Sequence, residues 1–147
     1  MAARYEHTQP GYVTLGAMGG AALVMVGTAL RTAAAAKFLP GVLILGAASA
    51  VFSSLTIMVT DEELLARFGP GVTVKRVKLA DIESVEPVRN PWYYGWGIRL
   101  TLRGMLYNVS GFDAVEVRMR TGGSFRLGTD EPDRLIRAIE EAKDAAD

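Results

Sequence analysis

Two uncharged apolar runs near the amino terminus constrain the fold more than any other feature of the sequence. The first covers residues 12–30, the second begins at residue 38, and only Arg31 and Lys37 interrupt the stretch between them. A helix needs about 20 apolar residues to cross a bilayer. A helix that is apolar on every face lies either in a deep core or in lipid, and the rest of this chain is too short to surround it. We therefore predict a transmembrane helical hairpin, with spans at about residues 12–30 and 38–54.

Small residues recur four positions apart in both predicted spans. Gly16 and Gly20 form one such pair, and Gly46 and Ala50 form the other. Small residues on one face of a lipid-embedded helix let backbones approach closely and gain van der Waals contact. We predict that these four residues pack helix against helix. The alternative is that the glycines only lower the helix propensity.

A secretory signal peptide is the alternative reading of the amino-terminal run, because the sequence AAAA follows it. The run is long for the apolar part of a signal peptide, and the leader before it carries Glu6 with little positive charge. A retained membrane anchor is therefore favoured.

The composition of the polar part argues against several classes of function. From residue 61 onward the chain has 13 basic and 15 acidic residues, whereas nucleic-acid-binding domains carry a basic excess. The chain has no cysteine and a single histidine, His7, which falls in a polar leader that we expect to be flexible. No Ser-His pair, carboxylate dyad or metal-ligand set stands out. We predict no enzymatic activity, metal or cofactor.

Downstream of residue 54 the apolar period changes from helical to alternating. Short β-rich runs are separated by turn signals such as DE and GPG, a pattern typical of antiparallel strands. We predict a meander of seven or eight strands that forms a barrel or sandwich. In the run at residues 96–103, the alternation predicts that four side chains point inward: Trp96, Ile98, Leu100 and Leu102.

The chain ends in a predicted amphipathic helix. Acidic residues and Pro132 come first, and apolar residues then recur at helical spacing from Leu135 to Ala142. The predicted fold class is an α+β membrane protein. Residues 1–54 form the leader and transmembrane hairpin, and residues 55–147 form a β-domain capped by the C-terminal helix.

Three segments of the β-domain, VKLADIESVEPVRNPWYYGWGIRL, LYNVSGFDAVEVRM and SFRLGTDEP, resemble the bacterial PH (pleckstrin-homology-like) domain family. The likeness covers roughly residues 55–143 and includes the pattern Leu79-x-x-Ile82-x-x-Val85. Many members of this family carry one or two transmembrane helices before the domain. The resemblance implies a PH-like fold and a tendency to self-associate. It implies no catalytic residues.

The segment NPWYYGWG, at residues 90–97, is the most unusual in the chain. Trp96 alternates in phase with the following strand, but Trp92, Tyr93 and Tyr94 precede that strand and are hard to bury together. Exposed aromatic side chains dock at bilayer interfaces or anchor protein contacts. The alternative is local packing over the mouth of the barrel or against the hairpin.

A row of arginines is the second candidate site. We expect Arg99, Arg103, Arg118, Arg120 and Arg126 to point outward from neighbouring strands. Such a strip can hold phosphate groups bidentately. The alternative is that glutamates on the same face, such as Glu116, balance the arginines in cross-strand pairs.

These features predict a non-enzymatic scaffold or adaptor anchored in the bacterial inner membrane. The expected partners are the lipid bilayer and a protein partner or further copies of the chain, with no nucleic acid or small-molecule substrate. Positive residues on both sides of the hairpin bias the C-terminal domain slightly toward the cytoplasm. An accessory subunit of a larger integral membrane complex and a lipid-headgroup sensor are the alternatives.

Overall fold

The computed structural model describes residues 2–146. Helices α1 (Tyr12–Arg31) and α2 (Ala35–Val51) form an antiparallel hairpin. The Ser49 hydroxyl lies 3.5 Å from the Met18 sulfur, and Gly41 lies against the end of the Met25 side chain. Early positions of one helix therefore meet late positions of the other.

Apolar side chains cover the outside of the hairpin. Leu23, Leu30 and Ile44 are 75%, 82% and 68% exposed. Helix α1 has 20 residues and is long and apolar enough to cross a membrane. Helix α2 is also apolar, but its 17 residues fall short of the roughly 20 that a span needs. One candidate span is thus supported by length and composition, and the second stays a prediction.

The polar leader is a strand, which corrects our expectation that it is flexible. Strand β1 (Tyr5–Pro10) pairs antiparallel with β2 (Ser54–Val59), so the two strands meet at the base of the helical hairpin. Strands β3 (Glu63–Phe68) and β4 (Val72–Lys78) complete a four-stranded sheet in the order β1-β2-β3-β4. Strand β2, the partner of β1, follows the helical hairpin in the sequence, so no local sequence pattern indicated the pairing.

The second sheet has five strands, and their order is not the meander we expected. The strands are β5 (Ile82–Arg89), β6 (Gly97–Thr101), β7 (Gly104–Asn108), β8 (Asp113–Met119) and β9 (Ser124–Gly128). Their order is β5-β8-β9-β7-β6, and β7 pairs with β9 in parallel. The β6–β7 hairpin is thus attached beside β9, on the far side of the β8–β9 pair from β5. Within residues 2–146 no strand pairs across the two sheets, so closure into a barrel is not observed.

One apolar core lies between the two sheets and the C-terminal helix. Fully buried side chains come from both sheets, among them Ile57, Phe68 and Leu127. The predicted C-terminal helix is confirmed as α3 (Pro132–Asp144). Its residues Leu135 and Ile139 are 0% exposed, so the helix closes the core on one side.

The second sheet contacts the helical hairpin at the start of strand β6 and at the connection after strand β7. A Cβ placed on Gly97, the first residue of β6, would lie 3.9 Å from the Phe52 ring at the end of α2. The Thr14 hydroxyl of α1 lies 3.3 Å from the Val109 carbonyl, just after β7. At the opposite edge, Lys143 of α3 donates to the first carbonyl of β5 (2.9 Å). The start of β6 and the end of β7 therefore lie at the base of the hairpin.

The alternation correctly predicted which side chains of β6 share a face, but the burial that we expected for these side chains is wrong. Pairing with β7 places Ile98 and Leu100 on the face that lines the core. Nevertheless Leu100 is 81% exposed, and Leu102, in the turn after β6, is 100% exposed. Trp96 is only half-buried. Strand β6 is the outermost strand of its sheet, so these side chains extend past the layer that covers the core.

Candidate functional site: the aromatic loop and strand β6

The connection from β5 to β6, residues 90–97, is a well-anchored loop that we call the aromatic loop. At its start, the main-chain amide of Asn90 donates to the Phe112 carbonyl (2.7 Å). At its end, the Trp96 indole donates to the Gly111 carbonyl (3.0 Å), and its ring lies 5.8 Å from the Phe112 ring. Gly95 has a φ of +69°, a conformation that residues with a Cβ rarely adopt. The loop is therefore fixed at both ends to the β7–β8 connection.

Between these anchors the three aromatic residues of a short 3-10 turn are exposed to different degrees. Trp92 and Tyr93 are 77% and 67% exposed. Their rings meet edge to face at 5.9 Å, and the rings of Tyr93 and Tyr94 do so at 5.3 Å. Tyr94 is half-buried and lies over the Arg126 guanidinium at 5.9 Å. The three predicted binding residues are thus together, but Tyr94 also belongs to the packing of the domain.

A buried polar cluster lies beneath the aromatic loop, on the face of the second sheet that points away from the core. Arg126 is 9% exposed and Glu116 is 4% exposed, and their side chains lie 3.3 Å apart. Arg126 also donates to the Asn90 side-chain oxygen (3.0 Å). The aromatic loop therefore covers this ion pair, and Asn90 fixes the start of the loop to the sheet.

The arginines that we predicted as a strip are dispersed. Arg126 is buried with Glu116, as the cross-strand alternative expected. Arg99 lies at the edge of the sheet, where its side chain donates to the Trp96 carbonyl (2.9 Å), and Arg103 lies in the turn after β6. Arg118 lies near the end of β8 and Arg120 directly after it, and strands β9 and β7 separate β8 from β6. Of the five, Arg126 lies beneath the aromatic loop, and only Arg99 and Arg103 are exposed next to the loop or β6.

An open groove of about 560 Å³ connects the aromatic loop to β6. Its lining includes Tyr93, Tyr94, Arg99, Leu100 and Leu102. The groove is lined by aromatic rings, aliphatic chains and a guanidinium, and among residues 2–146 no carboxylate lines it. Its lining is therefore largely apolar, with one positive charge.

The small residues of the hairpin do not pack against the other helix of the same chain. A Cβ placed on Gly16, Gly20 or Gly46 would meet nothing within 4 Å, and Ala50 is exposed. The close approach between the helices occurs at Gly41 instead, against Met25. The predicted packing of these four residues therefore stays a prediction about a second molecule.

Sequence reasoning missed a group of contacts between β1 and the start of α3. The Tyr5 hydroxyl donates to the Glu131 carboxylate (2.7 Å), and a His7 ring nitrogen lies 2.6 Å from Asp130. Burial, together with the hydrogen bond to Glu131 and its charge, raises the pKa of Tyr5. Burial also raises the pKa of Tyr107 in the core. The sequence YEHTQP offered no signal for these contacts, because it is mostly polar and has few β-forming residues.

No protein-family model matches the chain, and no curated protein matches it with significant similarity. Among residues 2–146, no group of three or more histidines and carboxylates is arranged to hold a metal ion. The resemblance to the PH-like family therefore stays a prediction.

Proposed function

We propose that this chain is a membrane-anchored, PH-like binding module that acts as a scaffold or adaptor and not as an enzyme. In this proposal both helices of the hairpin enter the bacterial inner membrane. The β-domain is held at its cytoplasmic surface, where it binds a protein partner or further copies of the chain.

The observation that carries this proposal is the pairing of β1 with β2 across the base of the hairpin. Pro10 lies opposite Ser54, and the Gly11 amide donates to the Ser53 carbonyl (2.8 Å). If α1 enters the membrane, this pairing supports a return of the chain to the same surface through α2. A single crossing would separate the two strands by the thickness of the bilayer, about 30 Å.

The short second helix is compatible with such a re-crossing. Its 17 residues rise about 25 Å, and a short span is accommodated by local thinning of the bilayer. Arg31 and Lys37 flank the turn between the helices. Their long side chains extend to the headgroups on the far side, which supports a turn at the opposite membrane surface.

Single cysteines test the topology in a chain that has none of its own. Ala34→Cys places a thiol in the turn of the hairpin, and Ala145→Cys places one after α3. In intact cells, an impermeant maleimide should label residue 34 and leave residue 145 unlabelled until the cells are permeabilised. The reverse pattern would contradict the orientation, and labelling of both in intact cells would contradict insertion.

Assembly tests the scaffold role. The full chain, reconstituted in lipid nanodiscs after gentle extraction, should have a mass of two or more copies or should retain a stoichiometric protein partner. A monomer with no partner, under extraction that preserves other membrane assemblies, would contradict the proposal.

An accessory subunit of a larger membrane complex is the second candidate. The observation that favours it is the open face at Gly16, Gly20 and Gly46, because small residues allow close packing of helices from another protein. Gly20→Leu should then release a different membrane protein. In the scaffold proposal the same change leaves the β-domain contacts intact. Gly41→Leu, at the contact within the hairpin, serves as the comparison.

A further inference from the structure

The large exposed apolar side chains of the β-domain lie at the start of β4, in the aromatic loop, on β6 and in the turn after it. Outside the hairpin, six large hydrophobic residues among residues 2–146 are exposed. They are Val72, Trp92, Tyr93, Ile98, Leu100 and Leu102, and we call them the apolar rim. Soluble domains rarely leave a contiguous apolar surface without a function. The rim therefore calls for an explanation beyond chance exposure.

Two contacts place the Ile98 and Val72 ends of the rim near the base of the helical hairpin. Ile98 follows Gly97, which lies next to the Phe52 ring at the end of α2. Val72 follows the turn at Gly69, and a Cβ on Gly69 would meet the last carbonyls of α2. The groove then connects Tyr93 to the tip of β6. The rim thus begins at the base of the hairpin and extends along β6 and the groove to Leu102.

Charged residues also differ between the rim and the opposite edge of the β-domain. Residues 90–112 contain Arg99 and Arg103 but no Asp or Glu. In the part of the chain that the structure describes, neither arginine has a carboxylate within salt-bridge distance. At the opposite edge, β5 and α3 expose basic Arg89, Arg134 and Arg137 and a larger number of acidic residues: Glu83, Glu86, Asp133, Glu140, Glu141 and Asp144. Anionic lipid headgroups therefore attract the first region more than the second.

We propose that the apolar rim docks into the headgroup region of the bilayer that holds the hairpin, with Arg99 and Arg103 on anionic lipid phosphates. This inference rests on the proposed insertion of the hairpin. Trp and Tyr side chains are suited to the membrane interface, because each has an apolar body and a polar tip. The occupant is the bilayer, since the rim is continuous with an apolar hairpin and is flanked by unpaired basic residues. The β-domain is then held flat against the membrane, with its acidic edge toward the cytoplasm.

Tryptophan fluorescence tests the depth of the rim, because Trp92 and Trp96 are the only two tryptophans in the chain. The full-length Trp96→Phe variant reports Trp92, and the Trp92→Phe variant reports the half-buried Trp96. Both are reconstituted in vesicles of phosphatidylcholine and phosphatidylglycerol with brominated acyl chains. Trp92 emission should fall about twofold or more, as expected for an interfacial indole, and Trp96 emission should fall less. In phosphatidylcholine alone, or after Arg99→Gln with Arg103→Gln, the quenching of Trp92 should weaken.

A second probe keeps the test valid if Trp96→Phe disturbs the loop. A bimane label on Leu102→Cys should be shielded from aqueous iodide in the same vesicles. The label on Glu140→Cys, on the exposed face of α3, should not be shielded. Equal iodide quenching at both positions would overturn docking. So would a Trp92 that is shielded from water but unaffected by brominated lipid, because a protein surface would then cover the rim. Cysteine labelling at residue 34 in parallel separates this failure from failure of the hairpin to insert.

Discussion

Arg126 occupies a position that the alternation of β9 marks as solvent-facing, yet its guanidinium is buried. The outer face of the second sheet carries Glu116 and Arg126 side by side, and the aromatic loop covers both. A buried charge is tolerated when its partner and its hydrogen bonds are in place. Here Glu116 neutralises Arg126, and the Asn90 side chain and the Tyr94 ring complete its surroundings.

Removing one member of this pair should therefore destabilise the fold strongly. Arg126→Leu leaves the Glu116 carboxylate buried without a cation, and we expect a loss of about 3–5 kcal/mol in the free energy of unfolding. The double change, with Glu116→Leu added, should recover most of this loss. Urea unfolding of the detergent-solubilised chain measures both. Arg118→Leu, on the exposed end of β8, is the matched control and should change stability by about 0.5 kcal/mol or less. Equal effects of Arg118→Leu and Arg126→Leu would mean that the ion pair is not buried.

The raised pKa of Tyr5 predicts a loss of stability at alkaline pH. Burial, the hydrogen bond to Glu131 and its negative charge all hold the phenol in its neutral form in the folded state. Above about pH 10 the unfolded phenol ionises while the folded one does not, so stability falls as the pH rises from there toward the folded pKa. Tyr5→Phe should make this alkaline decline shallower. Unfolding curves at a series of pH values from neutral to alkaline measure how the free energy of unfolding falls with pH. The difference between the two proteins at neutral pH accounts for the lost hydrogen bond. Parallel declines in the two proteins would contradict the assignment.

At the scale of secondary-structure elements, local pattern predicted most of the β-domain. Turn signals and alternation located β2 through β9 and the helix α3, because each of these elements has its own periodicity and boundaries. Strand β1 was missed because its partner strand, β2, comes after the whole helical hairpin in the sequence. The burial of β6 was also wrong, since alternation tells which face a side chain shares and not whether another layer covers that face. For the same reason the three loop aromatics could be singled out, but the role of Tyr94 over Arg126 could not.

Strand β1 makes the segment from residue 54 onward an incomplete domain. Replacing residues 11–53 by Asn-Gly should connect Pro10 directly to Ser54, which already lie opposite each other, through a two-residue hairpin turn. We expect this chain to fold, because every strand and α3 are retained. The simple fragment 54–147 lacks β1 and its packing of Tyr5 against the core, and should be less stable by at least about 1.5 kcal/mol. Thermal unfolding of the two proteins, followed by circular dichroism in mild detergent, makes the comparison. Equal midpoints would show that β1 contributes nothing.

At the scale of the whole molecule, a compact joint connects the hairpin to the β-domain. The Thr14 hydroxyl lies 2.9 Å from the Phe52 carbonyl at the end of α2 and 3.3 Å from the Val109 carbonyl of the second sheet. The Thr14 side chain of α1 thus contacts both the end of α2 and the β-domain. The order of strands in the second sheet belongs to this scale too. The order depends on the position of β9 between β8 and β7. This long-range pairing cannot be predicted from the periodicity of the sequence.

Loosening the joint should change how firmly the β-domain is held. Thr14→Val keeps the shape of the side chain and removes its hydrogen bonds, so we expect faster proteolysis near Ser53 in vesicles with little change in the unfolding midpoint. Thr28→Val is the matched control, because that hydroxyl bonds only to the Val24 carbonyl of its own helix (2.9 Å). Identical cleavage rates in the two variants would mean that Thr14 does not hold the joint.

The pairing of β1 with β2 also imposes an order on biosynthesis. Strand β1 leaves the ribosome first, but it has no partner until both helices have been made and β2 has followed them. If α2 failed to return, β1 and β2 would emerge on opposite sides of the bilayer, and the first sheet could not form. In the proposed topology, completion of the β-domain is therefore conditional on the return of α2 to the side of the bilayer on which β1 lies. Copies in which α2 did not return would have an unpaired β1 and an open edge on β2.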